Sequence, residues 1–294
     1  MHFTKMQGCG NDYVFVDGER EEIPRELRSD LARQISDRHY GIGSDGLIFI
    51  LPGRLAPFEM EMYNADGSRA EMCGNGIRCV AKYVYDKGKT RESTFEIESA
   101  GQVRRVEILD SDVSVAGESV EGSRCSLVRV NMGRPILGAE TVIGSKKLFR
   151  VSMGNPHAVL LLKETDPWCV EKEGPLFETA PCFPDRTNVE FVKVEDRETV
   201  RMRVWERGTG ETLACGSGAC AAAAVCIQKG LTDRKITVKL LGGELQIAWE
   251  REDSDMFLTG PAVTAYEGRY PDTAFQKADN TDRRCAERDT EKGY

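Results

Sequence analysis

What most constrains this chain is that it carries one motif twice. Trp205 to Val225 reads WERGTGETLACGSGACAAAAV, and Tyr63 to Val80 reads YNADGSRAEMCGNGIRCV. Each copy opens on an aromatic residue and passes through a Gly-containing polar turn. Ten residues on, each reaches Cys-Gly-x-Gly, at Cys73 and Cys215, 142 positions apart. Two more pairs keep nearly that offset. Gly10-Asn11-Asp12-Tyr13 runs into Val14-Phe15-Val16 as Gly154-Asn155-Pro156-His157 runs into Ala158-Val159-Leu160, 144 positions later. Asp45-Gly46-Leu47 matches Thr187-Asn188-Val189 at 142. Three colinear matches imply two homologous halves, each presenting one cysteine.

The local patterns repeat as well. Short apolar runs predict strands at His2–Lys5, Tyr13–Asp17, Leu47–Leu51 and Phe58–Tyr63, then at Phe95–Ser99, Val103–Leu109 and Val113–Ala116. A second series follows at Leu127–Asn131, Lys147–Ser152, Ala158–Leu162, Val189–Val194, Val200–Trp205, Ile236–Leu240, Glu244–Trp249 and Met256–Thr259. Helices are predicted at Pro24–Ser36, from Gly74 or Asn75 to Asp86, and at Gly216–Lys229. The last two close on Gly88 and Gly230. Glu164–Pro184 reads as a polar, Pro-rich connection. The result is an α+β fold of two pseudo-symmetric domains, each a strongly curved, mostly antiparallel sheet wrapped around a central helix, with the active site in the cleft between them. A doubly wound fold is disfavoured. The expected division is residues 1–117, completed by about 261–270, and residues 118–260, with Gly117–Ser123 as linker. Residues 271–294, polar and nearly free of aliphatics, are expected to form a disordered tail.

Charge and composition exclude several roles. The net charge of −8 opposes nucleic-acid binding, which needs a basic face. The longest mostly apolar run, Ala219–Ile227, is about half a membrane span. The N-terminal residues lack the apolar core of a signal peptide. The ten cysteines are therefore expected to stay reduced, and the protein to be cytoplasmic. With no C-x-x-C pair and three histidines, no metal site is expected.

Each of Cys73 and Cys215 precedes a Gly-x-Gly that opens a helix. The first turn of a helix offers unpaired N–H groups and a partial positive charge. A carboxylate can rest on the amides of Gly74-Asn75 and Gly216-Ser217. The same field is expected to lower the thiol pKa, making a thiolate available near neutral pH. Two such thiols facing one carbon can remove a proton from one side and return one to the other, as in a cofactor-independent racemase or epimerase. Two other classes remain open on the residues alone: a thiol redox protein using the same pair as a disulfide, and an amino-acid-binding module needing neither thiol. The other eight cysteines are expected to be small buried hydrophobes.

The segments GCGNDYVFVDG, GIGSDGL, YNADGSRAEMCGNGIRC, RVNMGRP, SMGNPHAV, RTNVEF and WERGTGETLACGSGACAAAA, running in order from about Met1 to Gly268, resemble diaminopimelate epimerase. The resemblance implies interconversion of LL- and meso-diaminopimelate without pyridoxal phosphate or any other cofactor, on the route to lysine and cell wall. It implies Cys73 and Cys215 as paired acid and base. It implies Asn11, Asn64, Asn155, Asn188, Glu206, Arg207 and the amides of Gly74, Asn75, Gly216 and Ser217 as substrate-binding groups. A homodimer is expected on the same ground. A related two-cysteine racemase acting on histidine or proline is the alternative within enzymes. Gly46 stands where some family members carry Gln, so no side-chain contact is expected there.

Overall fold

The computed structural model describes residues 1–70, 73–110 and 125–271. Its first half runs β1 (His2–Gly8), β2 (Asn11–Asp17), α1 (Arg25–Ser36), β3 (Gly46–Pro52), β4 (Phe58–Asn64), α2 (Gly74–Asp86), β5 (Thr94–Ser99), β6 (Gln102–Asp110) and β7 (Cys125–Gly133). The second runs β8 (Ile136–Ile143), β9 (Lys146–Ser152), β10 (Pro156–Leu162), α3 (Val170–Glu178), β11 (Asn188–Val194), β12 (Thr199–Glu206), β13 (Gly210–Thr212), α4 (Gly216–Gln228), β14 (Lys235–Leu240), β15 (Gly243–Ala248) and β16 (Met256–Arg269).

Strand pairing repeats with the sequence. In the first half β1–β2 is antiparallel, β2–β3 parallel, β3–β4 antiparallel, β4–β5 parallel, and β5–β6 and β6–β7 antiparallel. The series β9–β10–β11–β12–β14–β15–β16 has the same senses in the same order. A parallel pair needs a crossover connection, and each one here is spanned by a helix: α1, α2, α3 or α4. The long β16 pairs β7 and β15 through its first part and β1 from Val263 to Arg269, closing β1–β7 and β16 into a ring. Pro261 stands at the handover, between Thr259, paired with β15, and Val263, paired with β1. A residue without an N–H fits where the ladder changes partner. That proline masks the continuation of the strand, which local pattern ends at Thr259.

The central helices are enclosed. Gly74–Val84 of α2 and Gly216–Ile227 of α4 are buried on every side, so α4 needs no polar face and carries none. Strands β2 and β3 are apolar on both faces because both are covered. Tyr13, Phe15, Ile48 and Ile50 face the central core, while Val14, Val16, Leu47 and Phe49 pack with Leu31 and Ile35 of α1. In the second half Val159 and Val192 point inward, and Ala158, Leu160, Val189 and Phe191 pack with Val170 and Phe177 of α3.

Three elements depart from the local reading. The polar connection 164–184 contains α3, with Pro175 inside it. Its nine residues include four charged side chains and little apolar stripe, and its helicity follows from packing on β11 and β12 rather than from propensity. The strands β8 and β13 also escape pattern reading, β8 because it is an edge with no fully buried position and β13 because it is three residues long. The expected strand 113–116, the linker 117–123 with the boundary at 117/118, and the tail beyond residue 271 lie outside the described residues. No helix among the described residues is long and apolar enough to cross a membrane.

Candidate active site

Cys73 and Cys215 are the N-cap residues of α2 and α4, both in extended backbone, with φ of −123° and −128°. The two helix starts touch. A Cβ added to Gly74 would lie 3.5 Å from the Gly216 Cα, and one added to Gly216 would lie 3.5 Å from the Gly74 Cα. The second glycine of each motif lies against its own cysteine. A Cβ at Gly76 would stand 3.5 Å from Cys73 Sγ, and one at Gly218 would stand 3.3 Å from Cys215 Sγ. The Gly76 amide donates to Cys73 Sγ at 3.2 Å, and Ser217 Oγ lies 3.6 Å from Cys215 Sγ.

The surroundings of the two thiols differ. The Tyr13 hydroxyl is 3.3 Å from Cys73 Sγ. At the matching place in the second half stands His157, buried, with Nδ1 at 2.6 Å from Glu190 Oε1 and Nε2 at 3.0 Å from Asn155 Oδ1. Asn155 Nδ2 donates to Ser217 Oγ at 3.4 Å. A hydrogen-bonded chain thus runs from the buried Glu190–His157 pair through Asn155 and Ser217 to Cys215. Glu190 occupies the repeat position of Ile48, so an acid replaces an aliphatic beside one thiol only.

Burial pushes the Cys73 thiol up, with the Tyr13 hydroxyl and the Gly76 amide opposing it. Burial raises Cys215 well above the ordinary thiol range, and the carboxylates of Glu206 and Glu190 raise it further against the Ser217 hydroxyl and Gly218 amide. The expected lowering of both thiols is therefore overturned. Desolvation of a thiolate in this closed site outweighs the amides at the helix starts. Burial also raises the Glu206 carboxyl, opposed by the Thr212 hydroxyl and the Cys215 thiol.

Beside the cysteines opens a cleft of about 1030 Å³, with Asn11, Tyr13, Asn64, Glu206 and Arg207 on its walls. Arg207 also lines an adjoining cavity of 660 Å³ with Asn155 and His157. Position follows from element ends: Asn11 and Asn188 begin β2 and β11, Asn64 and Glu206 end β4 and β12, and Asn155 precedes β10. Asn188 Oδ1 accepts from the Arg207 N–H at 2.9 Å while its Nδ2 donates to Pro156 O at 2.9 Å. Asn75 and Asn11 both donate to the carbonyl of Ala214, the residue before Cys215, at 3.2 and 2.8 Å. Asn64 Nδ2 donates to Ser68 Oγ at 3.0 Å. At Gly46 an added Cβ would meet Tyr63 O at 2.3 Å, so this backbone has no room for a side chain there.

The diaminopimelate epimerase family model matches residues 3–135 and 149–265. Over 285 residues the chain is 48% identical to a diaminopimelate epimerase of Methanococcus maripaludis, covering 91% of this chain and 99% of the relative. The chain belongs to the diaminopimelate epimerase family. An Acetivibrio thermocellus diaminopimelate epimerase is 47% identical over 285 residues, covering 91% of this chain and 98% of the relative. Solved structures extend the likeness of fold at lower identity. A Bacillus anthracis phenazine biosynthesis protein of the PhzF family aligns with TM-score 0.67 and 14% identity, over 92% of this chain and 99% of that one. A hydroxyproline epimerase from Agrobacterium vitis aligns with TM-score 0.61 and 14% identity, over 92% and 90%. The α+β fold with a barrel-like curved sheet is shared with these proteins.

Within this epimerase fold, Tyr13 and Glu190 are the residues that sequence reasoning passed over. Glu190 had a signal of its own, an acid inside the apolar run Val189–Val192. Of the other cysteines, Cys9, Cys79, Cys220 and Cys226 are buried as expected, whereas Cys169 and Cys182 are partly exposed near α3. Cys285 and the side chain of Cys125 lie outside the described residues.

Proposed function

We propose that the chain interconverts LL- and meso-diaminopimelate by passing the α-proton between Cys73 and Cys215. The observation that carries this reading is the contact of two cysteine-capped helix starts at Gly74 and Gly216. The substrate α-carboxylate rests on the amides of Gly74-Asn75 and Gly216-Ser217, where both helix starts favour an anion. One thiolate takes the α-proton, and the C–H electron pair passes into the carboxylate-stabilised carbanion. The opposite thiol then protonates the other face, so the two sulfurs exchange protonation states. Arg207 and Glu206 suit the carboxylate and ammonium groups of an amino-acid substrate, and Asn11, Asn64, Asn155 and Asn188 suit mixed donor and acceptor recognition.

The raised thiols give substrate binding a further part. An ammonium placed against Glu206 neutralises the carboxylate that raises Cys215, so ionisation becomes easier once the substrate is seated. We assign a homodimeric, cytoplasmic enzyme on the family resemblance. We also assign two domains, residues 1–117 with about 261–270, and residues 118–260; the return of β16 to β1 supports the first grouping.

The test is exchange at the α-carbon. Reduced protein is incubated with LL-diaminopimelate in heavy water and followed by NMR. Deuterium uptake with meso product is expected, and its loss in Cys73→Ala and Cys215→Ala. Exchange confined to another amino acid would move the substrate and keep the two-thiol chemistry; no exchange with any amino acid would remove both.

A further inference from the structure

Arg78 lies one turn along α2 from Gly74 and is fully buried. Its Nη1 donates to Gly74 O at 3.0 Å, its Nη2 to Asn75 Oδ1 at 2.9 Å and its Nε to Pro261 O at 3.1 Å. Nη2 also lies 3.8 Å from Cys9 Sγ. Each of these partners is uncharged. A buried guanidinium held only by neutral acceptors is expensive to keep, and the fold makes specific room for it. A Cβ on Gly8 of β1 would meet Nη2 at 2.9 Å, and one on Gly260 of β16 would meet Nε at 3.2 Å. The repeat does not carry a second such cation: the matching position in α4 is Cys220.

The consequence passes through Asn75. A guanidinium only donates, so it demands the oxygen of the Asn75 amide. That leaves Nδ2 to point the other way, where it donates to Ala214 O at 3.2 Å. Ala214 precedes Cys215. Arg78 thereby fixes which end of the Asn75 amide crosses between the halves, and holds the peptide leading into the second cysteine against the helix start that carries the first.

We propose that Arg78 is a positioning residue that registers the two cysteine-bearing helix starts against each other, and that its buried charge strengthens anion binding at the Gly74-Asn75 amides. This rests on the epimerase reading of the site. Arg78 touches neither thiol and acts through Asn75 and the backbone.

The experiment uses the full chain with LL- and meso-diaminopimelate, measured in both directions, with Arg78→Lys, Arg78→Gln, Asn75→Ala and the Arg78→Lys/Asn75→Ala double variant. Lys keeps the charge and loses the three-way grip. It should lower kcat about 10- to 100-fold in both directions, because misplacement by about an ångström has effects of that size. Gln should raise KM beyond the Lys variant, because it also removes the charge. The double variant should be no more than about threefold slower than Asn75→Ala, since groups acting in one chain are not additive. Gly8→Ala, which pushes on the guanidinium without removing it, should lower kcat in both directions and serves if Arg78→Lys does not fold. Wild-type kinetics in Arg78→Lys or, if that variant does not fold, in Gly8→Ala would overturn the proposal, as would fold-losses that simply multiply in the double variant. If the wild-type chain exchanges no α-proton of diaminopimelate, the epimerase reading fails first, and that outcome is separate.

Discussion

At the scale of single residues, the two thiols are not equivalent, and their neighbours say how. Tyr13 supports Cys73 by one hydroxyl at 3.3 Å. Tyr13→Phe removes one of the groups that oppose burial and leaves the Gly76 amide, so Cys73 should become harder to ionise. A hydrogen bond to a charged group contributes about 1.5–3 kcal/mol, so exchange driven by Cys73 should slow roughly tenfold or more. Deuterium wash-in at low substrate should slow by the same factor from either stereoisomer, because the equilibrium constant fixes the ratio of the two kcat/KM values, and an unchanged rate would count against it. The carboxylate of Glu206 raises Cys215. Removing a negative charge beside a thiol lets it ionise at lower pH, so Glu206→Gln should move the acid limb of the kcat/KM profile downward while KM rises. A profile displaced upward, or unmoved, would contradict the assignment.

Among the elements, α4 is the most demanding. It is enclosed by sheet on all sides, and Ala221, Ala222, Ala223 and Ala224 are fully buried. Close-packed interiors do not absorb added methylenes, and overpacking costs about 1–3 kcal/mol. Ala222→Leu should lower stability by about that amount in denaturant unfolding. A variant as stable as the parent would show slack that the burial pattern denies. The element also shows what local pattern could and could not convey. Its start was legible because Cys-Gly-x-Gly is a helix-opening signal, and its end because Gly230 closes it. The helix α3 was not, since only its seat on β11 and β12 makes nine polar-rich residues helical.

For the whole molecule, the cleft of about 1030 Å³ is lined from both halves, by Asn11 and Asn64 from the first and by Glu206 and Arg207 from the second. A ligand that both helix starts hold is expected to draw the two halves of the chain together. Small-angle scattering should therefore give a smaller radius of gyration with a substrate analogue than without; identical curves would sink the idea. The sequence by itself determined the duplication, the register of the two cysteines and most strand positions, because period, turn chemistry and a repeated motif are local properties of a chain. Only the tertiary structure decided that the two helix starts touch at Gly74 and Gly216. It alone decided that burial and two carboxylates raise the Cys215 thiol instead of leaving it low. It also decided that β16 runs on past Pro261 to β1, and that Arg78 spans Gly74, Asn75 and Pro261. Each of these depends on what lies across a gap in space, where desolvation, charge and contact are set by groups far apart in sequence.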